Sequence, residues 1–292
     1  PGARGLLFAA LAVLTIAFVG YWIAGVRRRR DIGGGDSTRP TLLHLAIGAV
    51  TNFFDTLGIG SFAPTTSVYK LRGLVPDEVI PGTLNVGHAL PVIAQAFIFI
   101  AIVEVETVTL VGMIAASIAG AWIGAGIVAG LPRRKVQIGM GCALLVAATF
   151  FAMTNLRLFP SGGDTSGLST PLLWAGLAGN FLLGALMTLG IGLYAPCMIL
   201  VALLGMNPKA AFPIMMGSCA FLMPAASLRF LRAGSYSLAP AVGLALGGIP
   251  AVFAAAFLVK SLPLAALRWL VVAVVTYTAF AMLRSARAKV TG

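Results

Sequence analysis

Charge is what this sequence has least of. Of 292 residues only 8 are Asp or Glu, 2 are His and 20 are Lys or Arg. Three cysteines, Cys142, Cys197 and Cys219, are too few and too widely spaced for a disulfide framework or a metal cluster. Each lies in an apolar segment, where a thiol acts as a small buried hydrophobe. No two ionisable or nucleophilic side chains fall at a catalytic spacing, and His88 lacks an evident partner. An enzyme is therefore disfavoured, and neither a cofactor nor a metal is expected. The polar surface of a soluble domain is missing too: the chain is 59% hydrophobic and 10% charged, with a mean hydropathy of +1.00. Its net charge of +12 resides in short clusters between apolar runs. Such clusters read as topology signals facing anionic lipid, not as a nucleic-acid footprint. The chain opens without Met, which suggests a trimmed N-terminus. Positive charge follows the first apolar run instead of preceding it, which argues against a cleavable signal peptide.

What is abundant is hydrophobic length. Runs at 6–26, 108–131 and 264–283 match the roughly 20 residues needed to cross a bilayer as a helix. The expected fold class is an all-α polytopic membrane protein, with the lipid bilayer as its first partner; a homodimer is left open. Residues 1–40 form an extra N-terminal transmembrane helix with the run Arg27-Arg28-Arg29-Arg30 and a polar linker from Gly33 to Pro40. Residues 41–154 form a first repeat, 155–170 a solvated linker loop rich in Gly, Ser and Thr, and 171–292 a second repeat.

The repeats are visible as a duplication. Thr56-Leu-Gly-Ile-Gly-Ser-Phe-Ala-Pro64 and Thr188-Leu-Gly-Ile-Gly-Leu-Tyr-Ala-Pro196 agree at seven of nine positions, 132 residues apart. The same offset pairs Gly73 with Gly205, Pro76 with Pro208 and Pro81 with Pro213. Glycine inside an apolar run frees the backbone where lipid cannot hydrogen-bond it. Matching Gly/Pro interruptions in two halves are a pointer to a transporter's binding site.

Charge counting addresses whether each interrupted segment crosses fully or enters to mid-depth and returns. If both cross, the twenty Lys and Arg divide eleven to nine between the two sides. If both return, Arg27 to Arg30, Arg39, Lys70, Arg72, Arg133, Arg134, Lys135, Arg229, Arg232, Arg284, Arg287 and Lys289 share one side. That leaves Arg4, Arg157, Lys209, Lys260 and Arg268, a division of fifteen to five. Cytoplasmic loops carry the excess of Lys and Arg. Seven full spans plus two re-entrant helical hairpins are therefore expected, with the N-terminus outside and the C-terminus cytoplasmic. Each repeat is then one hairpin and three helices, an odd number of crossings, which makes the repeats inverted.

This plan brings both Gly-X-Gly turns near the midplane, where half-helices starting at Ser61 and Leu193 point their N-termini at one another. Unpaired N–H groups and the helix dipole there can hold an anion without Lys or Arg. The expected substrate-binding residues are Thr56, Gly58, Ile59, Gly60 and Ser61 in the first half and Thr188, Gly190, Ile191, Gly192, Leu193 and Tyr194 in the second. Close packing of helices through small residues is the competing reading of the same glycines. Asn85 and His88 reach a similar depth along the next helix, and Ser218 is a matching position in the second half. They either complete an anion's coordination or bond between helices. Asp55 is an acid within an apolar segment, and intramembrane acids default to function. It is either a proton carrier or a helix-capping carboxylate. Cys197, beside Pro196, has no activating base.

A Gly-rich turn, a Pro four residues on and a following Pro-led helix, present in both halves, resemble the TauE/SafE family of sulfite-exporter-like permeases. The resemblance covers residues 42–283. It implies transport of a small sulfur-containing anion, of the sulfite, sulfonate or thiosulfate type, across a bacterial inner membrane. The chain departs from the denser glycine run of many members at Thr56-Leu57-Gly58-Ile59-Gly60, directly after Asp55. A passive anion channel on the same fold is the alternative; it would need a continuous polar lining.

Overall fold

In a medium that offers no hydrogen bonds, an apolar segment must pair its own N–H and C=O groups, and a helix does so within one segment. The computed structural model describes residues 2–31, 39–158, 162–189, 192–258 and 264–287. Among them are eleven α-helices and no strand. They are α1 (Ala3–Asp31), α2 (Leu42–Thr56), α3 (Phe62–Arg72), α4 (Ile80–Ile102), α5 (Thr107–Val128) and α6 (Arg133–Asn155), then α7 (Thr170–Met187), α8 (Tyr194–Leu203), α9 (Ala211–Ala233), α10 (Leu238–Leu258) and α11 (Leu264–Arg287). Short 3₁₀ turns at Asp77–Val79 and Pro208–Ala210 lead into α4 and α9. Of the expected features, Gly190, Ile191, Lys260, Lys289 and most of the polar linker from Gly33 lie outside the described residues.

Seven helices, α1, α4, α5, α6, α7, α9 and α10, are long and apolar enough to cross a bilayer. That is the make-up of a multi-pass membrane protein. α7 enters this set at 18 residues, although the sequence marks it as part of an interrupted segment. The set omits α11. Large apolar side chains such as Ile16 (74% exposed), Val13 and Phe280 stand on the outer surface. A patch of that kind would aggregate in water and is at home against lipid.

Packing is centred on α4 and α9, which lie against each other. α5 also packs on α9 and α10 on α4, while α2 lies along α10, α7 along α5, and α6 pairs with α11. Exchange α2 for α7, α3 for α8, α4 for α9, α5 for α10 and α6 for α11, and this set of pairings is unchanged. The lateral contacts are made through glycine. A Cβ on Gly247 would stand 2.0 Å from the Leu45 carbonyl oxygen, one on Gly120 1.9 Å from that of Phe181, and one on Gly184 2.1 Å from that of Ser117. Missing side chains let backbones approach, which is how helices gain contact where no hydrophobic force drives them together.

Two sets of contacts mark the ends of the bundle. At one, Lys70 at the close of α3 bonds Asp77, and Gln137 Nε2 donates to the same Asp77 Oδ2 at 2.8 Å. Ser235 Oγ donates to the Ala129 carbonyl at 3.2 Å, and Ser237 N to Thr83 Oγ1 at 2.9 Å. At the other, Arg4 faces Glu104 at 3.8 Å. There Glu106 N donates to the Ser166 carbonyl at 2.8 Å and Leu168 N to Thr109 Oγ1 at 3.0 Å. Gly163 N donates to Met206 O at 3.0 Å and Asn207 N to Thr165 O at 2.9 Å. Residues 162–168, expected as a plain solvated linker, are thus bonded on one side to the start of α5 and on the other to the chain leaving α8. The Glu106 carboxylate caps α5, and the Thr109 hydroxyl and N–H hold it below the usual carboxylate range.

These contacts also give the course of the broken segments. His44 lies beside Gly243 and Asn52 beside Gly248, so α2 runs alongside α10 from the end where α10 starts, and α3 finishes at that same end, at Asp77. Asn180 bonds the Met113 carbonyl and Thr188 lies beside Gly124, so α7 follows α5 inward from the other end. On the way back Leu200 of α8 lies over Gly179 and Leu204 over Gly176. His44, read from the sequence as a feature of a span start, closes a capping box with Thr41 at the head of α2.

Candidate functional site

Both helix breaks fall at the duplicated turns. α2 stops at Thr56 and α3 resumes at Phe62; between them Gly58 and Gly60 take φ of 82° and 88°, a conformation open to glycine and costly for other residues. α7 stops at Met187 and α8 resumes at Tyr194. Neither Ser61 nor Leu193 caps the helix it precedes with a side-chain hydrogen bond. The chain closes each first turn with Thr65 N on Ser61 O at 3.0 Å and Cys197 N on Leu193 O at 2.9 Å. Pro64 and Pro196 have no N–H to offer. The donors left without a helical partner are therefore the N–H groups of Phe62 and Ala63 at one break and of Tyr194 and Ala195 at the other.

The two breaks meet. One small space is lined by Ile59, Gly60, Phe62 and Ala63 from the first and Gly192, Tyr194, Ala195 and Pro196 from the second, with Ala147 of α6. An adjoining one is bounded by Asp55, Gly60, Ser61, Gly192, Leu193 and Tyr194, together with Val92 of α4 and Cys219 of α9. Each holds about one water-sized sphere. Among the described residues, no Lys, Arg or His contributes to either wall. A Cβ placed on Gly60 or Gly192 would meet nothing within 4 Å among the described residues. Small-residue packing is therefore a property of Gly120, Gly184 and Gly247, while Gly60 and Gly192 face open space among the described residues.

Asp55, Ile59, Gly60, Ser61, Gly192, Leu193 and Tyr194 are thus brought together. Thr56, Gly58, Asn85, His88, Thr188 and Ser218 are not in these walls. Gly58 lies against the Phe212 ring, 3.6 Å from where its Cβ would be. Thr188 Oγ1 donates to the Ala185 carbonyl at 2.7 Å. Ser218 accepts from Asn180 Nδ2 at 2.9 Å, and Asn85 Nδ2 donates to the Pro81 carbonyl at 2.8 Å. His88 uses both ring nitrogens within the helices: Nδ1 lies 3.0 Å from Asn52 Oδ1 and Nε2 3.0 Å from Thr65 Oγ1. Asn52 holds His88 and the Gly48 carbonyl rather than Asp55.

Asp55 has other company. Gln95 Nε2 donates to Asp55 Oδ2 at 2.8 Å and to Thr56 Oγ1 at 3.1 Å, while Tyr194 OH donates to Gln95 Oε1. The Ser61 N–H and hydroxyl and the Tyr194 hydroxyl also face the Asp55 carboxylate. A carboxylate of the protein therefore sits at the N-terminus of α3, among the donors an anion would use. Sequence reading missed Gln95, Met187 and the wall position of Cys219, whose Sγ contacts Met187 Sδ at 3.6 Å. A usable signal existed for the first: Gln95 is the one strongly polar side chain between Ala89 and Val103. No protein-family model, curated protein or solved structure matches this chain.

Proposed function

We propose that this chain is a secondary transporter that carries a small sulfur-containing anion, of the sulfite, sulfonate or thiosulfate type, across a bacterial inner membrane by alternating access, on the plan of the TauE/SafE permeases. The observation that carries this reading is the meeting of two broken helices, one from each half, around a common buried space that offers N–H and hydroxyl donors and, among the described residues, no cation. Broken helices that converge in this way are how transporters hold an anion without a buried Lys or Arg. The space has room for about one water. An oxyanion of several heavy atoms enters only as the breaks part, which alternating access requires.

In this reading α2–α3 and α7–α8 are re-entrant hairpins, and α1, α4, α5, α6, α9, α10 and α11 are the full spans. Supporting it, α2 starts and α3 finishes at one end of the bundle, and α7 starts and α8 finishes at the other. The exchangeable helix pairings support an inverted repeat, and the fifteen-to-five division of Lys and Arg supports a cytoplasmic position for the end with Lys70 and Arg72. Cysteine labelling at positions 72 and 106, in a background lacking the three native cysteines, is expected to show 72 accessible from inside and 106 from outside. Label reaching position 72 from outside would end the hairpin arrangement. For the activity, purified protein in liposomes with an imposed pH gradient is expected to accumulate thiosulfate, sulfite or a small alkylsulfonate. Folded protein that moves none of the three would refute the assignment.

A further inference from the structure

Gln95 joins the two halves at the site. Its Nε2 binds Asp55 and Thr56 at the first break, and its Oε1 binds Tyr194 at the second. All four side chains are buried. Among the described residues, the polar groups around Asp55 are Thr56 of α2, Ser61 before α3, Gln95 of α4, Tyr194 of α8 and Cys219 of α9, while α7 brings Met187. Tyr194 and Cys219 are the titratable ones, and Asp55 has no ion pair among the described residues.

The donor inventory allows two arrangements on the same heavy-atom positions. With Asp55 ionised, both hydrogens of the Gln95 amide are needed at the first break, one on Asp55 and one on Thr56. Oε1 then takes the Tyr194 proton, so that hydroxyl is spent inside the protein. Thr56 meanwhile donates to the Asn52 carbonyl at 2.8 Å. With Asp55 protonated, the amide turns over: Oε1 accepts from the Asp55 hydroxyl and from Thr56, which swings away from Asn52. The NH₂ group then donates to Tyr194, and the Tyr194 proton is free to point into the space between the breaks. The Ser61 N–H and hydroxyl lose their charged acceptor at the same moment.

We propose that Gln95 is an amide relay, which passes the charge state of Asp55 in the first half to the Tyr194 hydroxyl in the second, so that one proton taken up by the protein releases donors to a sulfur oxyanion. The proton comes from the aqueous phase onto the Asp55 carboxylate and leaves it when the anion leaves. This rests on the transport reading and adds to it a stoichiometry of one proton per anion and a positioning residue.

Thiosulfate and a small alkylsulfonate stay ionised across the neutral range, so any proton counted with them belongs to the protein. In purified wild-type protein, binding is expected to take up one proton per anion. Affinity should then fall about tenfold for each pH unit above the Asp55 titration. Asp55→Asn should remove this dependence, and Gln95→Met and Tyr194→Phe should each flatten it, with the double variant no flatter than either single one. A Gln95→Met protein with the wild-type slope and proton uptake would overturn the relay. Infrared difference spectra without anion give an independent reading. The phenol C–O band of Tyr194, identified by its loss in Tyr194→Phe, should change with pH in wild type as the hydroxyl changes from donor to acceptor. It should stay constant in Asp55→Asn and Gln95→Met. A wild-type band that ignores pH overturns the relay even if Gln95→Met fails to fold. A band that switches in a protein that binds none of thiosulfate, sulfite and a small alkylsulfonate upholds the relay and refutes the transport reading instead.

Discussion

Valine at Gly192 is expected to abolish anion binding in a protein that still folds. Among the described residues nothing lies within 4 Å of where a Cβ would stand, so their packing does not need the position to be small. What lies there is the space that both breaks line, and three added carbons fill a volume that holds about one water. Gly60→Val should lose binding equally, but with a cost to folding. At φ of 88° a side chain is strained, by roughly 1–2 kcal/mol for the left-handed backbone alone and more when β-branched. Gly20→Ala, on α1 with open space beside it, is the control. Calorimetric titration with thiosulfate and a thermal melt on the same samples separate the effects. A loss of about 100-fold or more, near 2.7 kcal/mol, is expected at both turn glycines. A folded Gly192→Val protein that binds like its parent would refute the site.

The opposite pattern is expected at Gly120 and Gly247. A Cβ at Gly120 would lie 1.9 Å from the Phe181 carbonyl oxygen and one at Gly247 2.0 Å from that of Leu45. Neither neighbour is a side chain that can turn aside; a whole helix must move. Overpacking typically costs about 1–3 kcal/mol where side chains can adjust, and here valine would separate α5 from α7 or α10 from α2 along their length. Against a total stability on the order of 5–15 kcal/mol, either substitution should leave little folded protein, seen as aggregation on size exclusion and a lost or much lowered melting transition. Whatever fraction folds should bind anion as the parent does. A Gly120→Val protein with the parent's melting temperature would show that the α5–α7 contact is looser than described.

The positions of the breaks, and their occurrence twice, could be read directly because glycine and proline inside a long apolar run have few explanations, and a repeat at a fixed offset has fewer. The lengths of the helices followed from the same runs. Gln95 could not be found this way, because its partners lie 40 and 99 residues away in the chain. Asn85, His88 and Ser218 show a related difficulty. A rise of 1.5 Å per residue gives a side chain's depth, but which neighbour it faces depends on how the helix is turned, and helix packing decides that. Composition marked residues 155–170 as a linker, since Gly, Ser and Thr dominate there. It carried no sign that Gly163 and Thr165 would bond the chain leaving α8.

The exchange of partners between the halves sets an order in time. α2 finds its main lateral neighbour in α10, not in any helix of its own half. The ribosome must therefore make everything from Leu57 to Leu258 before α2 can be fully packed, 202 residues in all. At about 5–20 residues per second that is a wait of roughly 10–40 s. During this interval α2, a helix of 15 residues too short to cross the bilayer by itself, has α3 and α4 beside it. α7 has no such wait, because α5 is already in place when it emerges. The first half of this protein is thus left incomplete until the second half is made, and the arrival of α10 is what completes it.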